Sequence, residues 1–360
     1  MILTEKINVE VLKEIVKKIN SVPTSDGKNT LGNTKDKYQE KCKKALKHYL
    51  SLVNENGEAK IIYEQNKTLD TRFVCKNGVG LQLIPRKVRG HIAGEFYEDI
   101  DVKGCHHQII KNLLLRMGEK IPPILNDYLQ DKKAFEKKFG LTKDDMIKFI
   151  NKEELNKGKK FQKLKELHTL IYKDLLFNLK GNEKSFFKKV DKYLAKQNVD
   201  YNKAGKSISH FLQHEENRIL QAMIGYIKSN TDINIGVLCY DGLMLEKNEN
   251  INDDLLRRIE DAVKKYTKYD IELVFKKFDY SWDYKNAPVD EVNLDDEEEG
   301  CISDEVAYGL FEDLYKDKII TDEGFDLYLN NEYGIWEREN KNGKIFQKSY
   351  GISQVRRLVN

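Results

Sequence analysis

Several absences narrow the reading of these 360 residues before any motif is considered. Cysteine is sparse: five residues, at 42, 75, 105, 239 and 301, with no CxxC pair. Scattered thiols of odd number exclude a disulfide scaffold and a structural zinc site, and they fit a reducing compartment. No run of about 18 apolar residues occurs, which excludes a transmembrane helix. The opening Met1-Ile-Leu-Thr-Glu-Lys6 lacks the basic-then-apolar order of a signal peptide, so a secreted product is not expected. Proline is rare, with five residues, and no internal repeat is visible. There is no GxxxxGK followed by Ser or Thr, so no ATPase motor loop is present.

What is present is enough for a folded core: 40% hydrophobic and 10% aromatic residues. Net charge is only +3, from 62 Lys and Arg against 59 Asp and Glu, but it is unevenly spread. Residues 290–360 hold 18 acids and 8 bases, whereas 1–289 hold 54 bases and 41 acids. A basic body with an acidic tail suits a nucleic-acid partner, and a Lys-rich surface alone explains it equally well.

Residues 1–58 read as an N-terminal helical region. One apolar stripe runs through Val9, Val11, Leu12, Ile15, Val16 and Ile19, and another through Tyr38, Cys42, Ala45, Leu46 and Tyr49. The polar stretch Thr24–Asn33 reads as the loop between them. Strands come next at Ile61–Tyr63 and Arg72–Cys75, with Asn77-Gly78 as a hairpin turn. The alternating Phe96–Val102 reads as a strand running into an apolar helix, Gln108–Leu115. Residues 120–230 are mostly helical and Lys-rich. Gly236–Leu245 reads as two strands around a tight turn, followed by a helix at Leu255–Tyr266 and a strand at Ile271–Phe275. This order predicts an α+β core over 59–288 on a mostly antiparallel sheet. Residues 289–300 are an acidic linker, and 301–360 are expected to form a small helical unit containing Trp336, Arg356 and Arg357.

Five places could carry chemistry. Asp99 and Asp101, two apart on a strand, share one face and form a natural half-site for Mg²⁺; a surface strand bearing two acids is the commoner source of that pattern. Asp241 sits between apolar runs, where Asp-Gly is also an ordinary hairpin dipeptide. Gly80–Arg89 offers Gln82 for a base edge or sugar, and Arg86, Lys87 and Arg89 for phosphates. His106 and His107 face different directions at a helix start, so a shared metal is not expected; one is expected in a site, and the other to pack or face solvent. His210 and His214 have metal-compatible spacing but no HExxH. Within the Lys-rich helices, Lys143 and Lys148 are candidates for a triphosphate contact.

Taken in order, these segments resemble the transposon–viral polymerase family, divergent relatives of family A DNA polymerases usually fused to a superfamily 3 helicase. That family carries the form LQxxPRxxRxxxAGxxYxDIDxxNxHPxIL, which Leu81–Ile110 matches, with Gly104 in place of Asn and His107 in place of Pro. Cys239-Tyr-Asp-Gly242 parallels the family A form VHDE. The resemblance implies a polymerase-like palm with an antiparallel sheet and mostly helical fingers and thumb. It implies metal binding by Asp101 and Asp241 with Asp99 as an extra acid, and Mg²⁺ or Mn²⁺ as cofactor. It also implies nucleotide contacts by His106, Arg86, Lys143 and Lys148, and primer–template contacts by Arg72, Gln82, Lys87 and Arg89. The implied partners are DNA template and primer, nucleoside triphosphates and a superfamily 3 helicase, in cis or in trans. The implied setting is the cytoplasm or a viral replication site, with no membrane. The implied activity is that of a DNA primase–polymerase. An archaeo-eukaryotic-type primase using the same acids with His210, and a non-catalytic nucleic-acid-binding module, are the alternatives.

Overall fold

The chain opens with a strand, not a helix: β1 (Ile2–Lys6) lies antiparallel to β2 (Glu58–Gln65), with Ile2 opposite Ile62. β3 (Phe73–Cys75) adds to the other edge of β2, Tyr63 opposite Cys75, closing a three-stranded sheet. The expected hairpin turn at Asn77-Gly78 is instead part of a 3₁₀ turn, Lys76–Gly78, because β3 pairs backwards with β2. The computed structural model describes residues 1–22, 35–65 and 68–290, and further on the strand residues 320–322, 325–330, 335–339 and 345–346. The loop expected at Thr24–Asn33 lies outside the described residues.

Between β1 and β2 run the two expected helices, α1 (Val9–Val16) and α2 (Lys35–Leu52). Asn8 caps α1 by accepting from Val11 N at 3.1 Å, and Leu12, Ile15 and Val16 are buried. Cys42, Leu46 and Tyr49 of α2 are buried as their spacing requires. β1 thereby brings the first 58 residues into the main body of the chain, and Met1–Asp290 forms one unit.

A helix α3 (Arg86–Ala93) leads into β4 (Tyr97–Val102), and α4 (Cys105–Arg116) comes directly after it. Gly104 stands at the N-terminus of α4 with φ +63, a left-handed conformation that Gly and Asn tolerate best. That conformation accounts for glycine where the resembled family has asparagine. A helical layer then runs through α5 (Pro123–Gln130), α6 (Lys132–Phe139), α7 (Lys143–Ile150), α8 (Lys159–Gln162), α9 (Lys165–Thr169), α10 (Leu176–Asn182) and α11 (Lys184–Lys196). It ends in the long α12 (Lys203–Asn230). β5 (Ile235–Cys239) and β6 (Gly242–Glu246) form the expected hairpin, and α13 (Asp253–Thr267) and β7 (Leu273–Phe275) complete the unit. Asn252 starts α13 by accepting from Asp254 N and Leu255 N, both at 3.1 Å.

The second sheet has the order β5-β6-β4-β7, and every pair in it is antiparallel. Tyr97 locks it to the first: its ring is fully buried and its hydroxyl accepts from Lys6 N at 2.5 Å. The ring occupies space opened by an irregularity of β5, where a Cβ on Gly236 would lie 2.2 Å from the ring. Glu5, fully buried below, accepts from Tyr49 Oη (2.7 Å), Tyr63 Oη (2.6 Å) and Leu81 N (2.8 Å), so its lone pairs are matched by donors.

Glu291–Asn360 forms a second unit. Its described residues form not the helical unit expected from the sequence but a four-stranded antiparallel sheet: β8 (Ile320–Asp322), β9 (Phe325–Asn330), β10 (Ile335–Glu339) and β11 (Ile345–Phe346). The order is β11-β10-β9-β8, with Trp336 opposite Leu329. Leu327, Tyr328, Ile335 and Trp336 are β-branched, aromatic or apolar residues in short runs, and pairing rather than helical periodicity organises them. Arg356 and Arg357 lie outside the described residues, as do residues 291–300 of the acidic linker expected at 289–300. No helix among the described residues is long and apolar enough to cross a membrane.

Candidate active site

The site forms where β4 meets the β5–β6 hairpin. Asp99 and Asp101 project from the same side of β4, Asp99 buried and Asp101 partly open. Asp101 is directly opposite Gly242, the first residue of β6. Cys239 pairs with Gly242, so the turn consists of Tyr240 and Asp241, not of Asp and Gly. Asp241 O accepts from Val102 N at 3.3 Å, which fixes the turn against the end of β4. Tyr240 has φ +60, a left-handed conformation costing about 1–2 kcal/mol for a non-glycine residue. Gly242 has a different duty: a Cβ there would lie 2.3 Å from Ile100 O and 3.1 Å from Asp101 Oδ1. Glycine lets the β4 backbone and the Asp101 carboxylate close over β6.

Asp101 thus lies in the field of Asp99 on one side and of Asp241 on the other, and Lys276 acts on all three. Burial raises the pKa of Asp241, and repulsion from Asp101 and Glu216 raises it further, with Lys276 opposing. Burial also raises Asp99, while Lys276 and Arg89 pull it down. Asp99 Oδ1 has no hydrogen-bond partner among the described residues. Lys276, immediately after β7, continues the ladder through its N–H to Asp99 O at 2.7 Å. Its Nζ then reaches Asp101 Oδ2 at 2.9 Å.

A second charged cluster flanks the first. Glu216 of α12, almost wholly buried, is held by Arg72 (Nη2 to Oε2, 2.8 Å, with Nε on the other oxygen). His106 Nε2 stands 2.7 Å from Glu216 Oε2. Burial alone would raise the Glu216 pKa; His106 and Arg72 reverse that and bring it down to about 2. The Arg72 guanidinium also lies over the Tyr240 ring, 5.1 Å from its centre.

The other residues singled out in the sequence divide by placement. Arg86 is exposed at the start of α3, and its charge is felt by Asp99. Lys87 is half-buried beside it. Gln82 and Arg89, read as nucleic-acid contacts, are buried and bonded within the fold. Gln82 donates to Phe73 O (3.0 Å) and Leu238 O (2.8 Å) and accepts from Cys75 N (3.2 Å), joining the two sheets. Arg89 donates to Leu81 O at 3.2 Å and serves as counter-charge to Asp99. Lys143 begins α7 and Lys148 lies in its last turn, both exposed. Of the adjacent histidines, His107 is the packed one, 4.4 Å from the Tyr128 ring, with burial lowering its pKa to about 3. His210 packs edge-on against Tyr193, with Lys206 the charge acting on it. His214 contacts Asp70 O at 3.1 Å, so the two α12 histidines serve different partners.

Sequence reasoning missed three charged groups. Glu216 was visible only as an acid on the apolar face of a helix. Lys276 carries no signal beyond following a strand. Lys132, one of many lysines, lies in the field of Asp101 and Asp241 as well as of Lys143 and Lys103. Among the described residues no three His, Cys, Asp or Glu side chains already converge as a metal cage. The chemistry of the donor set nevertheless fits a divalent ion: hard carboxylate oxygens, Asp99 Oδ1 unpartnered, in a setting where burial first, and repulsion from Asp101 second, disfavours ionisation of Asp241.

No protein-family model matches the chain. Its sequence is 25% identical over 315 residues to the Putative helicase V13 of Sputnik virophage, a match taking in 80% of this chain and 38% of that protein. The chain thus spans well under half the length of this relative. Among solved structures it is similar to the POL domain of Pol1 from M. smegmatis, in a complex with DNA primer-template and dNTP. That similarity has a TM-score of 0.42 and 12% identity, and covers 77% of this chain and 67% of that one. The weak homology to a virophage helicase protein agrees with the resemblance read from the motifs.

Proposed function

We propose that the chain is a template-directed nucleotidyltransferase, a DNA primase–polymerase acting in viral or mobile-element replication alongside a superfamily 3 helicase. The observation that carries this reading is that the Asp241 turn is set against the end of β4 within the field of Asp101, with glycine at 242 where a Cβ would meet Ile100 O and Asp101. The virophage relative, named a helicase, supports a replication setting.

Asp101 and Asp241 would hold Mg²⁺ or Mn²⁺, which when bound lowers the pKa of a primer 3′-hydroxyl and stabilises the pyrophosphate leaving group. The protein's own groups do the rest. Glu216 fixes Arg72 and His106 beside the turn, where Arg72 can neutralise a primer or template phosphate and His106 can meet the incoming sugar. Lys132, in the field of Asp101 and Asp241, and Lys143, near enough to act on Lys132, offer positive charge suited to a triphosphate. Arg86 and Lys87 offer exposed charge for the nucleic-acid backbone. Arg89 and Gln82 act indirectly, by balancing Asp99 and holding the sheets together. The test is synthesis by the purified chain on a primed and an unprimed single-stranded template with Mg²⁺ or Mn²⁺, compared with Asp101→Ala and Asp241→Ala. Product that vanishes in both variants is expected; undiminished synthesis in both overturns the assignment.

A further inference from the structure

We infer that Lys276 is a built-in counter-cation that occupies the Asp101 carboxylate, where a divalent ion would be held, and must be displaced when such an ion binds. The inference rests on the nucleotidyltransferase reading and adds a control on metal occupancy to it.

The placement is specific. Lys276 is the first residue past β7, and its backbone N–H to Asp99 O holds its Cα in register with the acids. From there the side chain places Nζ 2.9 Å from Asp101 Oδ2, and its charge is felt by Asp99 and Asp241 as well. The neighbouring positive groups are committed elsewhere: Arg72 and His106 to Glu216, and Arg89 to Leu81 O on the Asp99 side. Among the described residues Lys276 is thus the cation in direct contact with Asp101, while Lys132 acts on that carboxylate through its charge alone. Two positive charges cannot both contact one carboxylate oxygen in a largely buried site without strong repulsion. The side chain is 31% exposed, so it has somewhere to go: it can swing towards solvent on a flexible four-carbon stem. In the metal-free chain it holds the carboxylates together; in the metal-bound chain it is released at the rim of the site.

The first measurement is Mn²⁺ binding to the full chain, followed by the electron paramagnetic resonance signal of free Mn²⁺. Lys276→Met and Lys276→Gln should each bind Mn²⁺ about tenfold more tightly than wild type, a change of about 1.4 kcal/mol. Lys276→Arg, which keeps the charge, should stay near the wild-type affinity. Asp101→Asn serves as the control and should lose the site. The second measurement needs no variant: Mn²⁺ should speed acylation of Lys276 by an amine-reactive reagent severalfold relative to Lys277, read by peptide mass spectrometry. Unchanged or weaker Mn²⁺ binding in Lys276→Met and Lys276→Gln, or Lys276 reactivity that does not rise on Mn²⁺ binding, overturns the inference. In that event, a site still lost in Asp101→Asn leaves the nucleotidyltransferase reading standing. A wild-type chain and neutral variants that bind no Mn²⁺ overturn both.

Discussion

Glu216→Gln isolates the charged cluster beside the turn. The substitution keeps the shape and removes the charge from a side chain that is 1% exposed. Its carboxylate sits at a pKa of about 2 against an ordinary 4.5, a fall worth about 3 kcal/mol of stability at about 1.4 kcal/mol per pH unit. Solvent screening is small because the acid is buried, although Arg72 is 31% exposed and takes the figure towards an upper bound. Because the folded pKa is depressed, the contribution is complete above about pH 4.5 and drains away as pH falls towards 2. Urea unfolding of the full chain, followed by far-ultraviolet circular dichroism, should give a gap of about 3 kcal/mol between wild type and variant at pH 7. At pH 3, between the folded and the ordinary value, less than half of that gap should remain. A gap below about 1 kcal/mol at pH 7, or one that does not shrink at pH 3, would refute the view that Glu216 is an ionised anchor for Arg72 and His106.

Gly242→Ala should cost at least tenfold in synthesis, since its Cβ would meet Ile100 O at 2.3 Å and push Asp101 from Asp241; near-normal rates in a folded variant would contradict this. Gln82→Leu should lower stability by about 1–3 kcal/mol through the loss of its bonds to Phe73 O, Leu238 O and Cys75 N, as measured by urea unfolding. A merely surface-bound Gln82 would instead weaken DNA binding with stability intact. His107→Phe should blunt acid sensitivity. Burial holds His107 neutral down to about pH 3, so wild type loses stability as pH falls from 6.5, by about 3 kcal/mol at pH 4, and the variant lacks this loss. Parallel decline of the two proteins would show that His107 is not the buried base described here.

The elements nearest the acids were legible because each carries a strong local signal. β4 alternates, the β5–β6 pair is apolar on both sides of one turn, and α13 has a cap and a single apolar stripe. Asp99 and Asp101 stood out as acids on an apolar strand and Asp241 as an acid between two apolar runs, and the fold sets the Asp241 turn against the end of β4. Long-range partners left no such trace. Nothing local says that Glu216, some 110 residues after His106, will meet it, or that Lys276 will lean onto Asp101. Gln82 and Arg89, expected to contact nucleic acid, turn out buried and bonded within the fold: a polar residue in a basic stretch looks the same whether it faces solvent or joins two sheets. β1 was hidden in a short, charged segment, Ile2-Leu-Thr-Glu-Lys6, whose partner strand lies more than 50 residues away. The strands of 320–346 were hidden for a similar reason: short mixed runs reveal their pairing only across turns.

The central claim is that Asp101 and Asp241 form one metal-dependent nucleotidyl-transfer centre. Incorporation of labelled nucleotides by the purified full chain, on a single-stranded template with Mg²⁺ or Mn²⁺, tests it most directly when wild type is set beside Asp101→Ala and Asp241→Ala. The expected result is metal-dependent product from wild type and none from either variant, with both variants still folded by circular dichroism. Synthesis that persists in both variants, or that proceeds without divalent metal, would contradict the claim.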